Sequence, residues 1–325
     1  MSEVRKNSIT GEWVIFAANR HNKPYHFKNR HQIQENEAFG CPFCPGHEQE
    51  TPLAVVALPQ ETDWEIRVFP NKYPALDEEN SARSQVDDFY EALDGTGIHR
   101  VLVDTPIHGQ SPETFSDDHL KTVFSVLQEQ VVQVGQQKGI AYVQAFKNNG
   151  PMAGASVYHS HWQILGMPMV PLRQQKMEAH LLATQAAGKS CPYCQMLAHE
   201  EEAKVRLVEE TAHFVSFVPY ASRFPYEVWV LPRRHVWTIG QLEEAELLDL
   251  AKLTKRVLRK ILALRPGLNY NLCLEDSPKV AQRQLFHWHL EIIPRMGSLA
   301  GFEFGSDSFI NHVLPEQAAK ELRQL

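Results

Sequence analysis

Two stretches of the chain repeat apolar residues at helical spacing. In the first, Leu120, Val123, Phe124, Leu127, Val131 and Val134 share one helix face. Ser116 or Asp117 supplies the N-cap, and Gly135 and Gly139 mark the stop. In the second, Leu247, Leu250, Thr254, Val257, Leu258 and Ile261 keep the same spacing, and Pro266-Gly267 ends it. A strand-like apolar run follows each helix, at 140–146 and 268–274. A shorter run closing on a histidine precedes each, at 101–108 and 228–235. Each half therefore reads strands, long helix, strands, which predicts an α+β fold with a mostly antiparallel sheet.

The chemistry-bearing residues repeat in the same order. Cys41-Pro42-Phe43-Cys44 and Cys191-Pro192-Tyr193-Cys194 lie 150 positions apart. His108 and then His159-Ser160-His161 follow the first motif. His235 and then His287-Trp288-His289 follow the second. The step from the middle histidine to the last pair is 51 residues in one copy and 52 in the other. The step from cysteine to middle histidine differs, 64 against 41, and an acidic insertion at 77–97, read as a surface loop, accounts for the excess. Matched order and spacing indicate internal duplication. The junction is expected in the polar stretch 174–190, dividing the chain into residues 1–175 and 176–325.

Composition narrows the classes. With 325 residues and 43% hydrophobic content, one large or two medium domains can bury ample core. The formal net charge is -7 and no basic block stands out, which argues against a nucleic-acid partner. The polar N-terminus has no signal-peptide core, and no apolar run reaches membrane-spanning length. A soluble, cytoplasmic protein is expected. Five cysteines in such a setting argue against a disulfide framework, and sixteen histidines beside two cysteine pairs point to metal.

Each half offers two thiols and two imidazoles: Cys41, Cys44, His108 and His159, then Cys191, Cys194, His235 and His287. Such sets suit tetrahedral zinc, and four protein ligands leave no open position, the mark of a structural site. Iron at the second site stays open. Cys273 reads as a buried, inert thiol.

With His159 given to metal, His161 is free for chemistry. On one strand His159, His161 and Gln163 share a face. A neutral imidazole is a good nucleophile toward phosphorus, and Gln163 can donate a hydrogen bond to a phosphate oxygen. Upstream, Asn148, Gly150, Gly154 and Ser156 form a glycine-rich turn able to approach phosphate closely. In the second copy the position of Gln163 is held by Glu291, whose charge would repel phosphate. One active site per chain is expected, with His289 structural or touching the sugar.

Taken together, these motifs resemble the galactose-1-phosphate uridylyltransferase family, a branch of the histidine-triad superfamily, and within it the plant-type ADP-glucose phosphorylases. The matching pieces run nearly end to end and include Gly11 to Val14, Val68 to Leu76, Asn148 to Gln163, Phe286 to Arg295 and Gly301 to Arg323. The resemblance implies tandem histidine-triad-like domains and ping-pong transfer of a nucleoside monophosphate from a nucleotide sugar. His161 matches the nucleophile and Gln163 the residue that steadies phosphate. Arg20, Asn71, Asn148 and Ser156 match contacts to the nucleotide. Phe302 and Gly305 lie in a segment that reaches the hexose, in the family from the other subunit of a homodimer. The galactose enzymes usually carry proline where this chain has Ser160, and a second arginine where it has Lys23. The reaction expected first is UDP-glucose:hexose-1-phosphate uridylyl transfer. The alternatives are AMP transfer from ADP-glucose to phosphate, a dinucleoside-polyphosphate hydrolase or phosphorylase, and a non-catalytic zinc-stabilised nucleotide-binding protein.

Overall fold

A computed structural model describes residues 3–16, 40–78, 84–86, 88–93, 95–184, 191–279 and 283–325. In chain order the strands are β1 (Glu3–Lys6), β2 (Trp13–Phe16), β3 (Val56–Gln60), β4 (Asp63–Pro70), β5 (Ser84–Val86), β6 (Glu91–Leu93), β7 (Ile98–Val103), β8 (Tyr142–Asn149), β9 (His161–Met167), β10 (Leu207–Glu210), β11 (Phe214–Phe217), β12 (Val228–Pro232), β13 (Tyr270–Glu275), β14 (His289–Pro294) and β15 (Phe309–Asn311). The helices are α1 (Asp117–Gln136), α2 (Leu172–Thr184), α3 (Pro192–Ala203), α4 (Glu244–Leu264), α5 (Gly301–Ser306) and α6 (Pro315–Gln324).

Ten strands form one sheet in the order β10-β11-β12-β14-β13-β8-β9-β7-β4-β3. Read from either edge, the two halves have the same order: β3-β4-β7-β9-β8 and β10-β11-β12-β14-β13. They join where β8 pairs with β13, Asn148 opposite Asn271. Every neighbouring pair in this sheet is antiparallel. The duplication read from motif spacing is thus written into strand order, and the α+β class follows.

The two long helices form as their periodicity requires. Ser116 caps α1 by accepting from the backbone N–H of His119, and Asp117 and Asp118 favour the positive end of the helix dipole. All six apolar positions expected on each helix are buried. Both helices pack on one face of the sheet, against Leu102, Ala145, Trp162, Ile164, Leu272, Leu290 and Ile292 among others. Each fully buried Leu, Ile or Val there contributes roughly 1.5–3 kcal/mol. Because strand residues alternate, the neighbouring positions turn to the opposite face. That face carries His99, His161, Gln163, Asn148, Asn271, Cys273, His289 and Glu291.

Three local expectations change. The acidic stretch 77–97 is more than a loop: within it β5 and β6 pair as a hairpin, closed by a bridge between Asp77 and Thr96. The polar stretch 174–190, where the junction is expected, carries α2 throughout its described part, 174–184. Its buried residues Gln174, Met177 and Leu181 are too few to give a strong apolar stripe. Finally, β9 begins at His161, so His159 stands just ahead of the strand rather than within it.

Candidate active site and metal centres

The first cysteine pair sits on a tight turn in which Cys44 N–H donates to the Cys41 carbonyl. The turn brings both thiols beside His108, which lies past the end of β7, and His159, at the threshold of β9. The ligand atoms of all four residues lie within 4.8 Å of one another. Sγ of Cys44 is 3.5 Å from Nδ1 of both histidines, and Sγ of Cys41 is 3.7 Å from Nδ1 of His159. A tetrahedral zinc with ordinary Zn–S and Zn–N bonds requires S···N edges of about 3.6 Å. The donor set and its spacing therefore fit such an ion. Nε2 of His159 donates to the Thr105 carbonyl at 2.7 Å, which leaves Nδ1 as the free donor toward the centre.

The second set repeats this arrangement. Cys191, Cys194, His235 and His287 lie equally close. Sγ of Cys194 is 3.5 Å from Nδ1 of His235 and of His287. Nε2 of His287 donates to the Pro232 carbonyl at 2.9 Å, three residues before His235, just as Thr105 stands three before His108. Both tetrads expected from sequence are thus assembled, and either could hold a metal ion.

The aromatic inside each cysteine motif has a role that spacing alone did not reveal. Phe43 packs edge-on against His161 at 5.2 Å and touches His159 at 6.3 Å. Tyr193 packs at a tilt against His289, with ring centroids 5.4 Å apart, and against His287 at 6.2 Å. Each motif therefore supplies ligands and also a wall for the following imidazole.

His161 is buried, and Nδ1 donates to the His159 carbonyl at 2.8 Å. That bond fixes the neutral tautomer, so Nε2 carries the lone pair. Burial lowers the imidazole to about 4, so the neutral form prevails at physiological pH. Beneath it, Lys147 donates to Asp104 at 2.8 Å, to Ser160 Oγ at 2.6 Å and to the His161 carbonyl at 3.2 Å. This lysine and aspartate are fully buried on the helix side of the sheet, so the backbone of residues 160–161 is held from below.

Gln163 follows on the same strand face. Its Oε1 lies 2.9 Å from Nε2 of His99, a residue of β7 that the sequence reading passed over. Asn71, expected at the nucleotide, lies against the same histidine at 3.2 Å and is held by backbone N–H to the His99 carbonyl at 2.7 Å. Asn148 accepts from Asn271 at 2.8 Å, and Asn271 also donates to the Ala153 carbonyl at 2.8 Å. Asn271 was likewise missed; its only sequence signal is alternation along β13. Ser156 lies on the loop that follows, whose glycines Gly150 and Gly154 both adopt positive φ, 84° and 88°. At Gly150 a Cβ would fall 2.3 Å from the Asn269 side chain, so no other residue fits without displacement.

The remaining expected residues are not joined to this cluster. Phe302 and Gly305 are exposed on α5, and no hydrogen bond or ring contact links them to His161 or Gln163 among the described residues. Arg20 and Lys23 lie outside the described residues.

The second half closes where the first is open. Glu291, in the place of Gln163, is fully buried between Arg173 of α2 at 2.9 Å and Arg223 at 2.7 Å. These cations hold its carboxyl well below the usual range despite burial. Nε2 of His289 faces the Glu291 carboxylate at 3.7 Å. Cys273, paired with Glu291 across the strands, is pushed up to about 12 by burial, as an inert thiol should be.

Comparison with known proteins agrees with this geometry. The family described as galactose-1-phosphate uridyl transferase, N-terminal domain, matches residues 1–171, and its C-terminal domain matches residues 173–325. ADP-glucose phosphorylase of Arabidopsis thaliana is 33% identical over 99% of this chain and 93% of its own. Galactose-1-phosphate uridylyltransferase of Thermotoga maritima is 29% identical over 100% and 98%. Among solved structures, the Arabidopsis thaliana ADP-glucose phosphorylase with bound ADP-glucose superposes with a TM-score of 0.87 at 30% identity, covering 100% of this chain and 99% of that one. A uridylyltransferase structure superposes with a TM-score of 0.77 at 28% identity, covering 100% and 98%.

Proposed function

Since the chain belongs to the galactose-1-phosphate uridylyltransferase family, we propose that it moves a nucleoside monophosphate from a nucleotide sugar to a phosphate acceptor through an adduct on His161. The observation that carries this is the fixed tautomer of His161. With Nδ1 bonded to the His159 carbonyl, Nε2 is the only nitrogen able to attack. Attack on the α-phosphorus forms a P–N bond and breaks the bond to the bridging oxygen, so sugar 1-phosphate departs. The acceptor phosphate then attacks the same phosphorus and releases Nε2. Gln163 donates to a non-bridging oxygen as charge develops, and Asn71, Asn148, Ser156 and Arg20 contact the nucleotide.

Each Cys2His2 set holds one zinc ion in this reading. It supplies rigidity rather than Lewis-acid chemistry, because all four positions are taken. Thiolate sets of this kind persist in reducing surroundings, which supports placement in the cytoplasm. Phe302 and Gly305, exposed on α5, meet the hexose from the second subunit of a homodimer in this reading.

The first substrate reading is uridylyl transfer from UDP-glucose to a hexose 1-phosphate. A second, adenylyl transfer from ADP-glucose to inorganic phosphate, is favoured by the higher similarity to ADP-glucose phosphorylase and by Ser160 bonded to Lys147. Incubation with each nucleotide sugar, read by the mass of the covalent intermediate, separates them: uridylyl supports the first, adenylyl the second. The adduct should vanish in His161→Ala with the fold retained. An adduct that survives that substitution defeats the mechanism.

A further inference from the structure

Strand register places the same pair of positions side by side in each half, and the chemistry at them diverges. Val101 pairs with Gln163 and Trp229 pairs with Glu291. Two residues earlier stand His99, on β7, and Glu227, just ahead of β12. In the second half Arg223 bridges Glu227 and Glu291, at 2.8 Å and 2.7 Å, and the two carboxylates are saturated. In the first half the pair is His99 and Gln163, with no charge between them.

The backbone decides which nitrogen of His99 carries the proton. The N–H of Ala75 donates to Nδ1 at 3.1 Å, so Nδ1 is an acceptor. Burial keeps the ring below the ordinary histidine value, so it is neutral at pH 7. The single proton then resides on Nε2, which faces Gln163 Oε1 at 2.9 Å and Asn71 Nδ2 at 3.2 Å. The Asn71 Oδ1 already accepts from the Tyr73 N–H, so its NH2 group faces the ring and Gln163 Oε1 is the acceptor for this proton. A glutamine amide can turn over by 180° with little intrinsic preference, and its neighbours set which way it points. A donor at Oε1 pins the oxygen inward and turns the NH2 group out. No described residue takes a hydrogen bond from that NH2 group.

We propose that His99 is a positioning residue that selects the amide orientation of Gln163, so that its NH2 group and not its oxygen meets the phosphate. The inference rests on the proposed function above. With the amide reversed, Oε1 would present a lone pair to an anionic oxygen at the moment charge builds there. The loop 71–75 is part of the device, because Ala75 sets the tautomer and Asn71 contacts the same ring.

Two replacements divide the ring's functions. In His99→Asn, Oδ1 stands near the place of Nδ1 and still accepts from Ala75, but nothing reaches Gln163. In His99→Gln, Nε2 stands near the ring Nε2 and still donates to Gln163. Single-turnover formation of the His161 adduct is followed with α-phosphate-labelled UDP-glucose and ADP-glucose, in wild type, both variants, Gln163→Ala and His99→Asn/Gln163→Ala. His99→Asn should slow the first-order step at least roughly tenfold, with less change in half-saturating concentration, as expected when a transition-state donor is misaimed. His99→Gln should recover most of the rate. The double variant should be no slower than Gln163→Ala, because His99 acts only through Gln163. A wild-type rate in His99→Asn, or additive losses in the double variant, overturns the proposal. A wild type that forms no adduct with either sugar defeats the proposed function itself, which is a different result.

Discussion

Nδ1 of His161 donates to the main-chain oxygen of His159 at 2.8 Å, and the same bond joins His289 to His287 at 3.0 Å. One tautomer-setting device is therefore present twice, and its consequence differs with what faces Nε2. At His161 no described side chain bonds it. At His289 the Glu291 carboxylate stands 3.7 Å away, tied to two arginines. Duplication preserved the imidazole and the Cys2His2 tetrad, but only in the second half does a buried carboxylate face the imidazole.

Neutralising Glu291 tests that division. Glu291→Gln leaves Arg173 paired with Glu275 alone and Arg223 with Glu227 alone, and should lower stability by about 2 kcal/mol through the loss of charge-assisted hydrogen bonds. It should not create a nucleophile at His289, because Arg173, held by Glu275, still stands beside residue 291. Chemical denaturation reads the first effect, and peptide mapping of the labelled enzyme reads the second. Label on His289 would show that charge alone had silenced this half.

The metal tetrads should differ in consequence. Metal analysis is expected to find roughly two zinc ions per chain, falling to one in Cys41→Ser and in Cys191→Ser. In Cys41→Ser the ligand His159 loses its anchor, and its carbonyl no longer holds His161 in place. Adduct formation should fall at least roughly tenfold, as when a supporting shell is removed from a site. Cys191→Ser should lower the melting temperature while the rate per folded molecule stays close to wild type. Equal loss of rate in both variants would contradict separate roles.

Lys147 supports the backbone of His161 from the helix side of the sheet. Its Nζ makes three bonds, to Asp104, Ser160 and the His161 carbonyl, in a place without water access. Lys147→Met should cost about 3–5 kcal/mol because it strands Asp104 as a lone buried charge. Lys147→Met/Asp104→Asn should recover part of that loss. Urea midpoints of the two variants check the order, and a double variant less stable than the single one would refute it.

Much of this arrangement was legible in the sequence because it depends on spacing. Matched steps picked out the two Cys2His2 clusters that could hold metal, and 3.6-residue periodicity marked α1 and α4. What stayed hidden depends on which strands become neighbours. His99 is 64 residues from Gln163, and only the pairing of β7 with β9 brings them together. Asn271 meets Asn148 across the joint between halves, 123 residues away. Helix α2 was missed because its polar residues are spent on tertiary bonds: Arg173 and Gln174 reach Glu275, so polarity there signals ion pairing. The pairing of Gln163 with Glu291 as equivalents was readable early, yet the arginines that silence Glu291 come from α2 and from Arg223, which no local pattern marks.

Asp276, just past β13, gives a pH signature for folding. It is buried beside Thr238, which donates to it at 3.1 Å, and burial raises its carboxyl to about 7. A folded-state value above the unfolded value of about 3.8 means that the folded chain holds this proton more tightly. Its contribution to stability is therefore full below pH 4 and is lost as pH rises from 4 to 7, by at most on the order of 4 kcal/mol. Asp276→Asn removes the ionisation and keeps an oxygen to accept from the backbone N–H of Ser277. The variant should gain stability over wild type at pH 8 and show little difference at pH 4.5. Paired denaturation curves at those two values decide it: a gain that is equal at both would mean that the carboxyl does not titrate on folding, and a loss at pH 8 would mean that the ionised form is the one the fold requires.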